Sequence, residues 1–364
     1  MKKRMLNLAI KIQQIPSPTF EENVRAQFVL EQFKTFGDVL SDLQVDQTGN
    51  VLARLPGLGS AFPLIISAHL DTVFPRGTNL TIHQEDHRLY GPGIGDNSLG
   101  VSGLFAILWS LIEGHQKLPG DIWFVANTCE EGLGDLRGIR AVVDKFRDKV
   151  RAYLILEGMA LGHLYYKAVG VHRYRISLYT QGGHSWTDYG KPSAIHEMGK
   201  LITSITSLQL SKNHRTTLNV GRVIGGTSVN AIASEASLEL DLRSEDQDEL
   251  NRLIAQINKL VDIARINCKS VEMESIGQRP SGTISPDHPL IGLATKCLRE
   301  EGLEPSLTIG STDANIPLSK GYPAVLLGFT HGGGSHTIHE YIETDPIDQG
   351  IGHILQFVNR VWEI

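Results

Sequence analysis

The chain has 364 residues, 41% hydrophobic and 20% charged, with a formal net charge of −6 at pH 7. At roughly 150 residues per domain that length implies two domains with ample core. The acidic balance argues against a nucleic-acid or anionic-membrane partner. No run of about 18 apolar residues is present to span a membrane. Cys129, Cys268 and Cys297 show no CxxC spacing and cannot pair completely, which favours a reducing compartment; a cytoplasmic protein is expected.

In chain order, residues 4–14 pattern as an amphipathic helix that stops before Pro16. Thr19 with Glu22 reads as a capping box opening a helix to about Phe36. Short apolar runs follow, "NVLARL", "LIISAHL", "IWFVANT" and "AYLILEG", with helical patterns at Gly100–Gly114 and Leu136–Arg147. The alternation predicts an α/β domain with a sheet covered on both faces. From residue 168 the pattern changes to half-exposed strands and two helices in the order β-α-β-β-α-β, the ferredoxin-like order, ending in a strand around Ser270–Ser275. After "GQRPSG" the α/β pattern returns, with a helix at Pro289–Glu301, the strand "AVLLGF" and a terminal helix from about Asp348. The domains are therefore read as 1–167 and 278–364, interrupted by an inserted domain at 168–277.

The chemistry-bearing residues stand where apolar runs end. His69 and Asp71 are two residues apart, so Asp71 could accept a bond from one ring nitrogen while the other binds a metal; a buried hydrogen-bonded pair is the plainer alternative. "GPGIGDNSLG" fails as a dinucleotide loop, because an acid, Asp96, occupies the third glycine position of GxGxxG. Asp96 is either a helix cap or a carboxylate aimed at something the glycines let close. "TCEEG" places Glu130 and Glu131 side by side, and "LILEG" ends a strand with Glu157. "HGGGSHTIHEYIE" adds three histidines. In open α/β sheets the carboxyl ends of strands converge on one crevice. Two imidazoles and three carboxylates there suit two zinc ions sharing a bridging carboxylate, with cobalt or manganese possible.

In these motifs and their order, the chain resembles the co-catalytic zinc peptidase and deacylase family that includes peptidase T, acetylornithine deacetylase, succinyl-diaminopimelate desuccinylase and glutamate carboxypeptidase. The resemblance covers nearly the whole chain. It implies a mixed-sheet zinc-peptidase catalytic domain with the inserted ferredoxin-like domain as a lid and dimerisation domain. It implies two Zn2+ per chain, with His69 and Glu157 on one ion, Asp96 bridging, and Glu131 and a late histidine on the other. The family's His-x3-Glu pattern selects His336, followed by Glu340 and Tyr341, over His331 and His339. Glu130 becomes the general base and Asp71 the residue that orients His69. His184, in "GGHSWTDYGKPSAI", resembles the lid histidine that reaches an active site, often that of a partner subunit in a homodimer. Asn230 and Arg243 look like oxyanion and substrate-carboxylate contacts, and Gly310, Ser311 and Thr312 of "GSTDAN" like a substrate-binding loop. Cys129, beside the base, is read as a buried, inert thiol. Asn97-Ser98 stands where the family often has Met-Lys.

The expected reaction is hydrolysis of an amide bond by metal-activated water with Glu130 as base. The expected substrate is a small peptide or N-acyl amino acid. Glu157 rather than Asp favours carboxypeptidase or deacylase activity within the family. An aminopeptidase of the tripeptidase type is the alternative, and a non-catalytic relative kept as a binding protein is a further one.

Overall fold

A computed structural model describes residues 1–364, which form two compact units: residues 1–168 with 283–364, and residues 169–282. In the first unit the central strands are the short apolar runs. Leu64–His69 is buried along its whole length. It runs parallel to Ile122–Asn127 on one side and to Ala152–Glu157 on the other. Ala324–Gly328 extends the parallel set beyond Ala152–Glu157. Val51–Leu55 joins antiparallel at Ile122–Asn127, and Ser41–Val45 closes that edge, also antiparallel, so the sheet is mixed. Strands buried on both faces need no polar alternation, which is why they read as continuous runs.

The helix Leu99–Glu113 packs against Leu64–His69 and Ala152–Glu157, with the first helix, Lys2–Gln13, against it. The helices Pro289–Glu300 and Ile347–Arg360 pack on each other. The second helix runs Asn23–Lys34, and its start departs from the expected capping box. Glu22 stands at the N-cap position, but no side chain makes a capping bond there. The Thr19 hydroxyl donates to Asp71 Oδ2 at 2.9 Å, and the Glu22 carboxylate accepts the Cys129 N–H at 3.0 Å. Both side chains serve buried groups across the unit, where an unpaired polar atom costs more than at a solvated helix end.

A second, small sheet in this unit carries no clear sequence signal. His83–Glu85 and Arg88–Tyr90 form a hairpin, Tyr341–Glu343 pairs with Arg88–Tyr90, and Gly332–Gly333 pairs with Tyr341–Glu343. It lays the 334–340 segment beside the glycine loop that starts at Gly91.

The inserted unit is a four-stranded antiparallel sheet in the order Thr216–Gly225, Glu235–Ser244, Gly170–Tyr179, Ser270–Arg279. Two helices, Ala194–Thr206 and Gln247–Ala264, pack on it. The strand order is that of the ferredoxin-like fold. Alternate residues of Gly170–Tyr179 from Tyr174 to Leu178 point into its core, giving the period-two pattern visible in the sequence. The last strand runs past Ser275, through an irregularity between Ser275 and Gly277, to pair Arg279 with Val171. The unit therefore ends at Gly282 rather than at 277. No helix in the chain is long and apolar enough to cross a membrane.

Candidate metal centre

Sheet order places the first set of side chains. Because Leu64–His69 lies between Ile122–Asn127 and Ala152–Glu157 in parallel, His69, the Thr128–Glu131 turn and Glu157 emerge together at the carboxyl ends of the central strands. Asp96 arrives from the loop before the helix Leu99–Glu113, and His336 from the 334–340 segment.

Asp96 stands at the centre. Its Oδ1 lies 3.1 Å from His69 Nε2 and its Oδ2 3.2 Å from His336 Nε2. Glu157 Oε2 lies 3.8 Å from His69 Nε2, and Glu131 Oε1 lies 3.2 Å from His336 Nε2. His69, Asp96 and Glu131 alone offer three ligand atoms within 4.8 Å of one another. Asp96 is not a helix cap, since Ser98 holds that position.

Asp71 serves more than the ring of His69. The strand ends at His69, so the two residues do not share a strand face. His69 Nδ1 lies 3.0 Å from the carbonyl oxygen of Asp71, and the carboxylate is farther, at 3.6 Å. A carbonyl only accepts, so Nδ1 carries the hydrogen and Nε2 is the nitrogen that faces the cluster. The Asp71 carboxylate also accepts the Glu130 N–H at 2.9 Å, the Glu131 N–H at 2.8 Å and the Thr19 hydroxyl at 2.9 Å. It holds the backbone that carries both glutamates.

Electrostatics match this crowding. Burial opposes a charge on His69, but Glu157, Asp71 and Asp96 overcome it and raise its pKa well above 6.5. His336 is raised to about 10 by its bonds to Asp96 and Glu131. Burial alone would raise Asp96, yet the two imidazoles hold it below the usual carboxylate range. Glu157 is pushed well up by burial, helped by Asp96, Glu130 and Asp313. The ion pairs of Asp96, Glu131 and Glu157 here run to imidazoles. Converging carboxylates of this kind call for cations. A mixed set of imidazole nitrogens and carboxylate oxygens suits zinc, and by the same ligand logic cobalt or manganese. The residues present therefore fit such ions.

Two residues to which the sequence assigns no role at the site brace the centre. Asn97 donates to the Leu156 carbonyl at 2.9 Å and accepts the Gly158 N–H at 3.0 Å, tying the Asp96 loop to the Glu157 strand end. Glu340 accepts N–H groups from Gly93, Gly95 and Asp96. Asn97 could be suspected only from its place beside Asp96, and Glu340 only from the His-x3-Glu spacing. Cys129 is buried, and burial with Glu22 pushes its thiol up to about 12, which leaves it protonated and unreactive.

The proposed substrate contacts are less uniform. Gly310 ends the strand Ser306–Gly310 against the ring of Tyr165, where a Cβ would come within 2.4 Å. Thr312 spends its N–H on Asn315 Oδ1 at 2.8 Å, and its hydroxyl accepts the Ala314 N–H at 3.2 Å, so that hydroxyl is partly engaged in starting the helix Asn315–Ser319. Ser311 lies between them. In the inserted unit, Arg243 Nε pairs with Asp241 at 2.7 Å, and its side chain stays 45% exposed. Asn230 Oδ1 accepts from the Ser228 hydroxyl at 2.6 Å, and its carbonyl accepts the Ser185 N–H. His184 is exposed beside it, and its Nδ1 accepts the Trp186 N–H at 3.2 Å. Its Nε2 must then carry the hydrogen.

Residues 65–360 match the model of peptidase family M20/M25/M40. The chain belongs to that family. An acetylornithine deacetylase from Edwardsiella ictaluri is 28% identical over 328 residues, covering 83% of this chain and 82% of the relative. Among solved structures, a tripeptidase from Staphylococcus aureus superposes with a TM-score of 0.84 at 22% identity, covering 100% of this chain and 99% of that one. The aminopeptidase PepT from Bacillus cereus superposes with a TM-score of 0.81 at 21% identity, over 100% and 99%. These structural likenesses speak for the shared mixed α/β fold. Membership makes the protein a metallohydrolase of the peptidase and deacylase class, acting on peptide or amide bonds.

Proposed function

We propose that the protein hydrolyses an amide bond in a small peptide or N-acyl amino acid with two divalent cations, zinc foremost, held by five side chains. His69 and Glu157 would hold one, Glu131 and His336 the other, and Asp96 would span both. The observation that carries this reading is Asp96, whose two oxygens each face a different imidazole, at 3.1 and 3.2 Å. Bound cations of this kind supply Lewis acidity to the scissile carbonyl and to water.

Glu130 is the proposed base. It is buried, and its backbone is fixed by the Asp71 carboxylate. It takes a proton from the attacking water and returns it to the leaving amine. His184, with Nε2–H as a donor, is proposed to stabilise the charge that develops on the carbonyl oxygen, in its own chain or from a second copy in a lid-mediated homodimer. Asn230 and the Gly310–Thr312 loop are the proposed further contacts. Arg243, anchored at Nε by Asp241, is the proposed partner of a substrate carboxylate.

The acetylornithine deacetylase relative and Glu157 support the deacylase or carboxypeptidase reading, and the tripeptidase and aminopeptidase neighbours support an aminopeptidase alternative. Metal analysis of the purified protein, with a screen of dipeptides, tripeptides and N-acyl amino acids with and without chelator, tests all of this. The expected result is about two metals per chain and chelator-sensitive hydrolysis. Metal-free protein with undiminished hydrolysis would sink the proposal. Substrates that need a free amino terminus, and not a free carboxylate, would move the assignment to the aminopeptidase side.

A further inference from the structure

Glu340 makes no contact with the imidazoles, yet its carboxylate is 0% exposed and takes three N–H groups from a single loop. Oε2 accepts Gly93 N–H at 3.0 Å, and Oε1 accepts Gly95 and Asp96 N–H at 2.8 and 2.9 Å. Its carbonyl accepts the Gly91 N–H at 2.9 Å. The next residue, Tyr341, pairs with Tyr90. The residue four before it is His336, at φ 64°, whose Nε2 lies 3.2 Å from Asp96 Oδ2. One buried acceptor thus fastens the loop bearing Asp96 to the segment bearing His336; His336 lies in no helix or strand, and Asp96 sits in the short Ile94–Ser98 turn with non-helical backbone angles, φ −114° and ψ 88°. Successive amides turned onto one carboxylate form a rigid anion cradle. Charge-assisted bonds of this kind are about twice as strong as neutral ones.

We propose that Glu340 is a positioning residue that sets the Asp96 loop against His336 before any cation arrives, and that it chiefly governs metal affinity. The inference rests on the two-cation reading above.

The test is zinc and cobalt titration of metal-free protein by calorimetry, for wild type, E340Q and E340A. Glutamine keeps one oxygen for Gly95 and Asp96 but turns an amide NH2 toward the Gly93 N–H. We expect E340Q to bind the metals ~10- to 100-fold more weakly, as losses behind a ligand typically do, and E340A to bind more weakly still. The cobalt concentration for half-maximal activity should rise by the same factor. A lowered melting temperature with unchanged metal affinity would mean a purely structural role and overturn the proposal. Wild type that binds no metal would instead overturn the two-cation reading, and this inference with it. If neither variant folds, amide exchange in metal-free wild type decides. Gly93, Gly95 and Asp96 N–H should already be protected and change less than about threefold on adding zinc. Amides that exchange freely until zinc is added would overturn the proposal.

Discussion

Replacing Asp71 with asparagine tests which partner its carboxylate serves. In the native protein Oδ1 holds the Glu130 N–H at 2.9 Å, while Oδ2 holds the Glu131 N–H at 2.8 Å and the Thr19 hydroxyl. Asparagine has one acceptor oxygen. If that oxygen keeps Glu131 and Thr19, the NH2 group confronts the Glu130 N–H. A buried donor left without a partner costs about 1–3 kcal/mol. The two surviving bonds lose their charge assistance, about 1 kcal/mol each. The sum is about 3–5 kcal/mol, concentrated at the backbone of the proposed base. Urea unfolding of D71N should show most of that loss. With metal saturating, kcat should fall on the order of 100-fold, because a misplaced base forfeits its proton-transfer geometry. The reasoning is refuted if kcat at saturating metal stays near the wild-type value while metal affinity alone falls. That outcome would mean that the carboxylate acts through the His69 ring, 3.6 Å away, after all.

Other variants probe the centre and the core. Glu130→Ala should keep both metals by elemental analysis and lose turnover, whereas Glu131→Ala should lose metal; near-normal rates for the first would reverse the roles. At Gly100 an added Cβ would come within 2.0 Å of Asn97 Oδ1, so Gly100→Ala should break the tie to Gly158, cost about 1–3 kcal/mol in denaturant unfolding and weaken metal binding. His353 is 1% exposed, neither ring nitrogen has a partner, and burial lowers its pKa to about 4. A lowered histidine contributes stability that is full above the unfolded value of 6.5 and is lost as pH falls from 6.5 toward 4. His353→Leu should therefore gain on wild type by on the order of 3 kcal/mol between pH 7 and pH 4. A stability difference that does not change with pH would show that the histidine is not held neutral.

Runs such as Leu64–His69, Ile122–Asn127 and Ala152–Glu157 were legible because a strand buried on both faces must be apolar throughout, and the polar residue that ends it is conspicuous. The order of elements in the inserted unit was legible for a related reason. A sheet with one covered face alternates, and its helices do not. Those are local rules, written in neighbouring residues.

The partners of particular side chains were not local, and there the sequence reading went astray. Thr19 and Glu22 have the spacing of a helix cap, but their bonds go to Asp71 and to the Cys129 N–H, groups about 50 and 100 residues away along the chain. Asp71 has the spacing of a histidine partner and its carboxylate lies 3.6 Å from the His69 ring, yet it also serves the amides of Glu130 and Glu131, which no spacing announces. Glu340 and Asn97 gain their places only when the small sheet and the Leu156 strand end come beside the Asp96 loop. Sequence by itself determined which residues could carry charge and where the strands would end, because composition and periodicity follow from burial. Only the tertiary structure decided which buried donor each acceptor satisfies, because a buried polar group takes whatever partner the packed chain brings within reach, regardless of separation in sequence.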